Sequence, residues 1–237
     1  MTSFSKLIWS DEFDRPAGTL PDQSKWIHEI GGHGWGNAEL QTYTTDAANA
    51  CHDGEGNLVI KAHRLGDGFT SARLISKGLF DVTYGRLECR ALLPGGAGLW
   101  SAFWSLGANI DVRPWPMCGE IDVMENLGSE PRRVFGTIHC PGHAGRDSIG
   151  GEVLVPSSLH ENFHVYAVEW SPDGIAWSLD GAVYHVVTKG QIGSAWVFDH
   201  SFYLLINLAV GGWLGGQVHA EKRFPAEFLV DHVRVFS

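Results

Sequence analysis

The sequence predicts an all-β fold in which two antiparallel sheets pack face to face as a sandwich or jelly roll. Three observations in the 237 residues predict it. Short runs of alternating or wholly apolar residues recur along the chain, each closed by Gly, Pro, Asn or Asp, as strands joined by turns require. Apolar spacing at i, i+3 and i+4 is nearly absent, which disfavours a doubly wound α/β fold with its amphipathic helices between strands. The 30 glycines are about twice the average share of ~7%, a surplus suited to many tight turns.

Eleven runs carry the prediction: NLVIKAHR (57–64), SARLISKGLF (71–80), YGRLECRALLP (84–94), GLWSAFWSLG (98–107), GEIDVMEN (119–126), RVFGTIHC (133–140), FHVYAVEW (163–170), IAWSLDG (175–181), AVYHVVT (182–188), SFYLLINLAV (201–210) and LVDHVRVF (229–236). The clearest hairpin joins FHVYAVEW to IAWSLDG through Ser171-Pro172-Asp173-Gly174. Only 157–162 and 190–195 leave room for short helical turns. No linker, repeat or charge block interrupts the chain, so residues 1–237 are expected to form one domain. At this length roughly 70 to 75% of the unfolded surface is buried on folding, enough for a core without staples.

Composition narrows the function classes. Asp plus Glu outnumber Lys plus Arg by 27 to 17, a formal charge of −10, which argues against nucleic acid as a partner. No apolar stretch approaches the roughly 18 residues of a membrane span, so no membrane association is expected. The opening MTSFSKLIWSDEF lacks a basic segment followed by an apolar one, so no signal peptide is visible; Met1-Thr2-Ser3 is either native or a remnant of a removed leader. Cys51, Cys89, Cys118 and Cys140 show no CxxC spacing, and free buried thiols are expected rather than a zinc site or a disulfide scaffold.

The most informative segment is CGEIDVMEN (118–126), which sets three carboxylates in six residues of a β-forming run. Acidic residues are poor strand formers. Regular alternation puts Glu120 and Asp122 on one face and Glu125 on the other. A bulge between Asp122 and Glu125 brings all three to one face, where two carboxylates flanking a sugar serve glycoside cleavage and a third shares a proton with them. A solvated edge-strand face is the competing reading; no Asp-x-Asp-x-Asp-Gly calcium loop is present.

These residues carry a resemblance. GEIDVMEN, preceded by GLWSAFWSLG and Trp115 and followed by GTIH, EWSPDGI and LLINLAVGG, resembles the laminarinase-type members of glycoside hydrolase family 16, and the ordered match runs from WSDEFD at Trp9 to VDHVRVF at Phe236. The resemblance implies a concanavalin-like β-jelly roll with a retaining site on its concave sheet. By motif position it implies Glu120 as nucleophile, Glu125 as general acid/base and Asp122 as the residue assisting the nucleophile. The two residues between Asp122 and Glu125 resemble the bulged branch that contains β-1,3-glucanases.

Strand alternation places Trp100, Ala102 and Trp104 on one face, a platform for the apolar face of a pyranose, with Leu99, Ser101 and Phe103 opposite. Trp115, just before the acidic strand, is a third cleft candidate and Trp213 a weaker one. Trp170 is undecided between cleft and core, and the remaining five tryptophans are left to the core. His139 in GTIHC is expected beside the acids, and Asn37, Arg73 and Asn207 are expected to meet sugar hydroxyls, with a surface arginine as the competing reading for Arg73. No organic cofactor is expected. Positions matching a structural calcium of the family are Glu12, Gly56 and Asp231, with surface acids and a turn glycine as the competing reading. Two departures from the family pattern bear on subsites: Trp213-Leu214-Gly215-Gly216 where Asn-Trp-Pro-Gly is common, and Ser101 in place of a frequent proline.

The expectation is a monomeric, secreted or periplasmic endo-β-1,3-glucan hydrolase that cleaves laminarin-like polymers by double displacement. Alternatives are a mixed-linkage β-glucan, agar or carrageenan hydrolase, or a non-catalytic glycan-binding lectin.

Overall fold

Each of the eleven runs contributes a strand, from Leu58–Leu65 to Ala226–Phe236. The computed structural model describes residues 4–219 and 223–237; Met1-Thr2-Ser3 lies outside them. The strands assemble into two sheets. The smaller has seven strands in the order Ile149–Leu154, Arg133–His139, Glu120–Leu127, Leu99–Gly107, Phe202–Val210, Arg73–Ile75 and Ile27–His28. The larger has ten, with Gly85–Leu92 flanked by His164–Ser171 and Ala226–Phe236.

Period-2 alternation sends one face of each sheet into a shared core. From the smaller sheet come Leu99, Phe103, Ile121, Val123, Leu204, Ile206 and Leu208; from the larger come Leu87, Cys89, Val168, Trp170, Val233 and Val235. Phe202–Val210 is buried throughout, because Tyr203 and Leu205 pack beneath a second apolar cluster on the outer face of the same sheet. Its near-continuous apolar run follows from burial on both faces. Truncating a central ring such as Phe103 to Ala is a loss of about 3–5 kcal/mol.

The hairpin forms as expected, with Ser171 opposite Gly174 across Pro172-Asp173. The helical turn expected near 190–195 is Lys189–Ile192 followed by Gly193–Ala195, its start closed by a capping box between Thr188 and Gln191. Residues 157–162 are not helical. Six strands escaped the sequence reading: Leu7–Asp11, Ile27–His28, Gln41–Tyr43, Ala50–His52, Gly68–Ser71 and Ile149–Leu154. All but the last have five residues or fewer, too short for alternation to declare itself. Gln41–Tyr43 pairs with Gly68–Ser71 in parallel, the one such pairing among the described residues. Two helical turns not foreseen, Gly145–Asp147 and Gly212–Gly215, carry residues to the rim of the functional cleft. All four cysteines are free thiols, and Cys89, Cys118 and Cys140 are buried.

Candidate active site

The strand Glu120–Leu127 lies between Leu99–Gly107 and Arg133–His139. Against Leu99–Gly107, Glu120 faces Leu106 and Asp122 faces Trp104; the register then slips, so that Met124 faces Phe103 and Glu125 faces Ala102. Against Arg133–His139 the slip falls between Asp122 and Glu125. Val123 and Met124 are consequently both in the core, and two sequence neighbours on one face are what an inserted residue produces. The slip returns Glu125 to the outer face, where Glu120, Asp122 and Glu125 line one cleft of about 520 Å³. The indole N–H of Trp177, reaching from the opposite sheet, donates to the carbonyl of Asp122 at 2.8 Å and pins the bulge from below. Gly119 opens the strand at φ +77°, where a Cβ would meet the Phe202 ring at 2.9 Å, so only glycine fits this entry.

Removal from water is the largest influence on each of the three acids, and pushes Glu120, Asp122 and Glu125 up to about 8. Repulsion from Asp122 adds to it at Glu120 and Glu125, while His139 draws both down. Raised together and repelling one another, the three give up their protons in steps, so that an acid and a base can stand side by side. The backbone N–H of Gly145 donates to Nδ1 of His139 at 3.1 Å, which places the ring proton on Nε2. That nitrogen lies 3.3 Å from Asp122 Oδ2 and 3.6 Å from Glu120 Oε1, so the N–H dipole of His139 faces the carboxylate pair without a hydrogen bond to Asp122 Oδ2. On the other side, the indole N–H of Trp100 donates to Glu125 Oε1 at 2.9 Å.

Aromatic side chains form the walls. Trp104 donates its indole N–H to Asn207 Oδ1 at 2.8 Å, and Trp213 donates to Asn37 Oδ1 at 3.1 Å. The guanidinium of Arg73 sits 4.7 Å from the Trp35 ring centroid and 4.8 Å from that of Trp104, and is ion-paired with Glu29. Trp213 meets Trp100 edge-on at 6.2 Å, and the Trp115 ring is 5.7 Å from His139. Trp100 is only 8% exposed, whereas Trp115 and Trp213 are 45% and 42% exposed. Trp115 and Trp213 are therefore the exposed rings of the cleft, while Trp100 and Trp104 are packed into its wall. Gly212, at φ +80°, sits where a Cβ would come within 3.1 Å of the Asn37 carbonyl oxygen, which lets the Trp213 turn close against this wall.

A bulged strand that aligns three proton-holding carboxylates under an aromatic-walled cleft is the arrangement the motif order implied, and comparison with known proteins agrees. Residues 37–229 match the family model for glycosyl hydrolases family 16. The chain belongs to glycosyl hydrolase family 16. Among curated family 16 relatives, it is 42% identical to a beta-glucanase of Rhodothermus marinus, over 98% of this chain and 85% of that protein. It is 40% identical to a glucan endo-1,3-beta-glucosidase of Cryptopygus antarcticus, over 89% and 83%. The laminarinase catalytic domain of Thermotoga maritima superposes with a TM-score of 0.92 at 42% identity, covering 98% of each chain. The two-sheet jelly roll expected from the sequence is thus the fold of this family 16 member.

Asn37, Arg73, Trp100, Trp104, Trp115, Glu120, Asp122, Glu125, His139, Asn207 and Trp213 all line the cleft of this family 16 chain. Trp170, undecided from sequence, is fully buried in the core. Of the five tryptophans left to the core, Trp26, Trp177 and Trp196 are buried there and Trp9 packs against it, but Trp35 lines the cleft. Trp35 stands at φ +51° in a glycine-rich loop outside any strand, where alternation gives no guide. Sequence reasoning also missed Glu39, which lines the cleft, and Gln41 and Tyr43, which are bonded to it. The signal was available, because residues 37, 39, 41 and 43 alternate as Asn, Glu, Gln and Tyr.

At two of the positions matched to a calcium of the family, Glu12 and Asp231, the carboxylates are ion-paired. Glu12 is held by both Nε and a terminal nitrogen of Arg234, at 3.0 and 2.7 Å. Asp231 Oδ2 contacts Arg90 at 3.1 Å and His232 at 2.8 Å, and Gly56 offers its main-chain carbonyl, an oxygen of the kind calcium takes. The two carboxylates are committed to cations. Glu120, Asp122 and His139 do bring ligand-type atoms within 4.8 Å of one another, but the Gly145 bond leaves a proton on His139 Nε2 where a metal would need a lone pair.

Proposed function

We propose that this family 16 chain is an endo-acting, retaining hydrolase of β-1,3-glucan, of the laminarinase kind. The observation that carries the reading is the register slip that aligns Glu120, Asp122 and Glu125 in one cleft. Glu120 attacks the anomeric carbon while Glu125 gives its proton to the leaving glycosidic oxygen, forming a glycosyl ester on Glu120. Glu125, now a base, takes a proton from water, and the resulting oxygen nucleophile displaces Glu120 with a second inversion. Asp122 keeps the shared proton as negative charge localises on Glu120, and His139 Nε2–H supports the pair. The chemistry requires no organic cofactor.

A neutral glucan suits the cleft better than a sulfated polymer. Four carboxylates line it, at Glu39, Glu120, Asp122 and Glu125, and its one arginine, Arg73, is already paired with Glu29. The sulfates of a carrageenan would meet repulsion there. Trp115 and Trp213 supply half-exposed rings for pyranose faces, Trp213 with the Arg146 guanidinium 5.6 Å from its centroid. The size of the substrate supports action outside the cytoplasm, and a monomer is the proposed working form; among the described residues no helix is long and apolar enough to cross a membrane.

The test is Glu120→Gln, assayed on laminarin, lichenan, agarose and carrageenan with product anomers followed by NMR. The wild type is expected to release β-anomeric ends, laminarin being cut fastest, and the variant to lose at least about 10³-fold in rate while still binding glucan. Near wild-type turnover by Glu120→Gln, or an inverted product, would overturn the assignment.

A further inference from the structure

Glu39 is a buried carboxylate, 8% exposed, that the hydrolytic steps do not use. It accepts three hydrogen bonds: from Asn37 Nδ2 to Oε1 at 3.0 Å, and to Oε2 from Gln41 Nε2 at 2.6 Å and the Tyr43 hydroxyl at 3.1 Å. The Tyr43 hydroxyl in turn accepts from Asn207 Nδ2 at 3.1 Å. Two chains therefore start at Glu39 and end on cleft tryptophans. One runs through Asn37 to the indole of Trp213, the other through Tyr43 and Asn207 to the indole of Trp104.

The direction of every bond in these chains is forced from their ends. An indole N–H is donor only, so Asn37 and Asn207 must each turn Oδ1 toward tryptophan and Nδ2 away from it. Those two Nδ2 groups need acceptors. Asn37 finds Glu39 Oε1 directly; Asn207 uses the Tyr43 oxygen, whose own proton must then go to Glu39 Oε2. Gln41 is fixed likewise, because its Oε1 accepts the backbone N–H of Val210 at 2.7 Å, leaving its amide nitrogen toward Glu39. Three donors converge on the centre, and only an acceptor-only group satisfies them all.

We propose that Glu39 is a positioning residue that sets the orientation of two cleft indoles, Trp104 and Trp213, and so determines glucan affinity without taking part in proton transfer. An amide at position 39 presents one acceptor and one donor, so it faces a donor whichever way it turns. Relief on the Oε1 side flips Asn37 and puts its NH₂ against the Trp213 N–H. Relief on the Oε2 side flips Gln41 against the Val210 N–H, or reverses Tyr43 and Asn207 and opposes the Trp104 N–H. The steric change is small, and the polar conflict always travels to a cleft wall or to the strand beneath it.

The inference rests on the glucanase reading for its kinetics but not for its spectroscopy. In Glu39→Gln the ¹⁵N–¹H indole resonances of Trp104 and Trp213, assigned by Trp→Phe replacement, are expected to shift in the absence of any glucan, while those of Trp26 and Trp170 stay in place. With laminarin, KM is expected to rise roughly tenfold, with kcat within about threefold of wild type and both limbs of its pH profile unmoved. Tyr43→Phe keeps the carboxylate and cuts one chain, so it is expected to shift Trp104 alone and to add nothing to KM in the Glu39→Gln background. Static indole resonances in both single variants overturn the proposal, as does a displaced pH limb or a fall in kcat at constant KM. Strictly additive losses in the double variant also overturn it. Failure of the wild type on laminarin would instead sink the glucanase reading and leave the resonance test intact.

Discussion

Trp100→Phe isolates a single hydrogen bond to the residue assigned as general acid. The ring face that packs on Leu127 and Ala209 is kept, and only the N–H that donates to Glu125 Oε1 at 2.9 Å is lost. That bond favours the ionised form of Glu125 and opposes the upward push from burial and Asp122 that takes the carboxyl to about 8. A hydrogen bond to a charged group contributes about 1.5–3 kcal/mol. Trp100 leaves a small void that water can partly fill, so roughly half of this is recovered, and at 1.36 kcal/mol per pH unit the expected displacement is about one unit upward. Glu125 must be protonated when the glycosidic bond breaks, so its loss of a proton sets the basic limb of kcat/KM in the free enzyme. Initial rates on laminarin across pH 4–10 are therefore expected to show the basic limb moved up by about one unit and the acidic limb unmoved. Thermal stability should fall modestly, by about 1–2 kcal/mol for the smaller ring. A basic limb that holds still or moves down would refute the donor role of Trp100, and movement of the acidic limb instead would mean that the assignments of Glu120 and Glu125 are exchanged.

Arg73 draws Glu120 down and bridges the rings of Trp35 and Trp104; in Arg73→Met the acidic limb of the same profile is expected to move up and KM to rise about two- to fivefold, whereas an unmoved limb would confine Arg73 to the wall. Asp122 is 4% exposed and its carboxyl is raised from 3.8 to about 8 in the folded chain. Between those values the folded state holds a proton that the unfolded state has released, so stability from this group is greatest below about pH 4 and falls as pH rises toward 8. Asp122→Asn removes that loss, and is expected to raise the melting temperature at pH 7 by at least about 2–4 °C, to leave it nearly unchanged at pH 4, and to lower kcat; an equal gain at both pH values would exclude the titration as its cause.

The fold was legible because alternation and turn chemistry agree along most of the chain. The bulge was legible because its cause is written into GEIDVMEN: three acids that chemistry wants together, with the third out of phase by one residue, and two apolar neighbours, Val123 and Met124, to fill the core at the slip. What stayed hidden was built from contacts between segments far apart in sequence. Leu7–Asp11 is a strand because Ala226–Phe236 offers it an edge, and nothing in LIWSD alone says so. Trp177 looks like any core aromatic in IAWSLDG, yet its N–H is what satisfies the carbonyl at Asp122.

The tryptophans show why residue type and strand face together still underdetermine a site. Alternation correctly put Trp100 and Trp104 on the cleft side, but it describes faces of a sheet and not the direction of an indole N–H. That direction fixes how Trp100 and Trp104 sit in the wall, and here it depends on Glu125 and Asn207 supplying acceptors, with Asn207 held in turn through Tyr43 by Glu39. The alternation of Asn37, Glu39, Gln41 and Tyr43 reads as an ordinary polar face until donors and acceptors are matched one by one. Once they are, Glu39, an acidic residue outside the reacting cluster, is a group whose three donors an amide does not satisfy. Charge at the reacting acids and charge at Glu39 thus serve different ends: the first cluster gains from retaining protons, the second only from having none to donate.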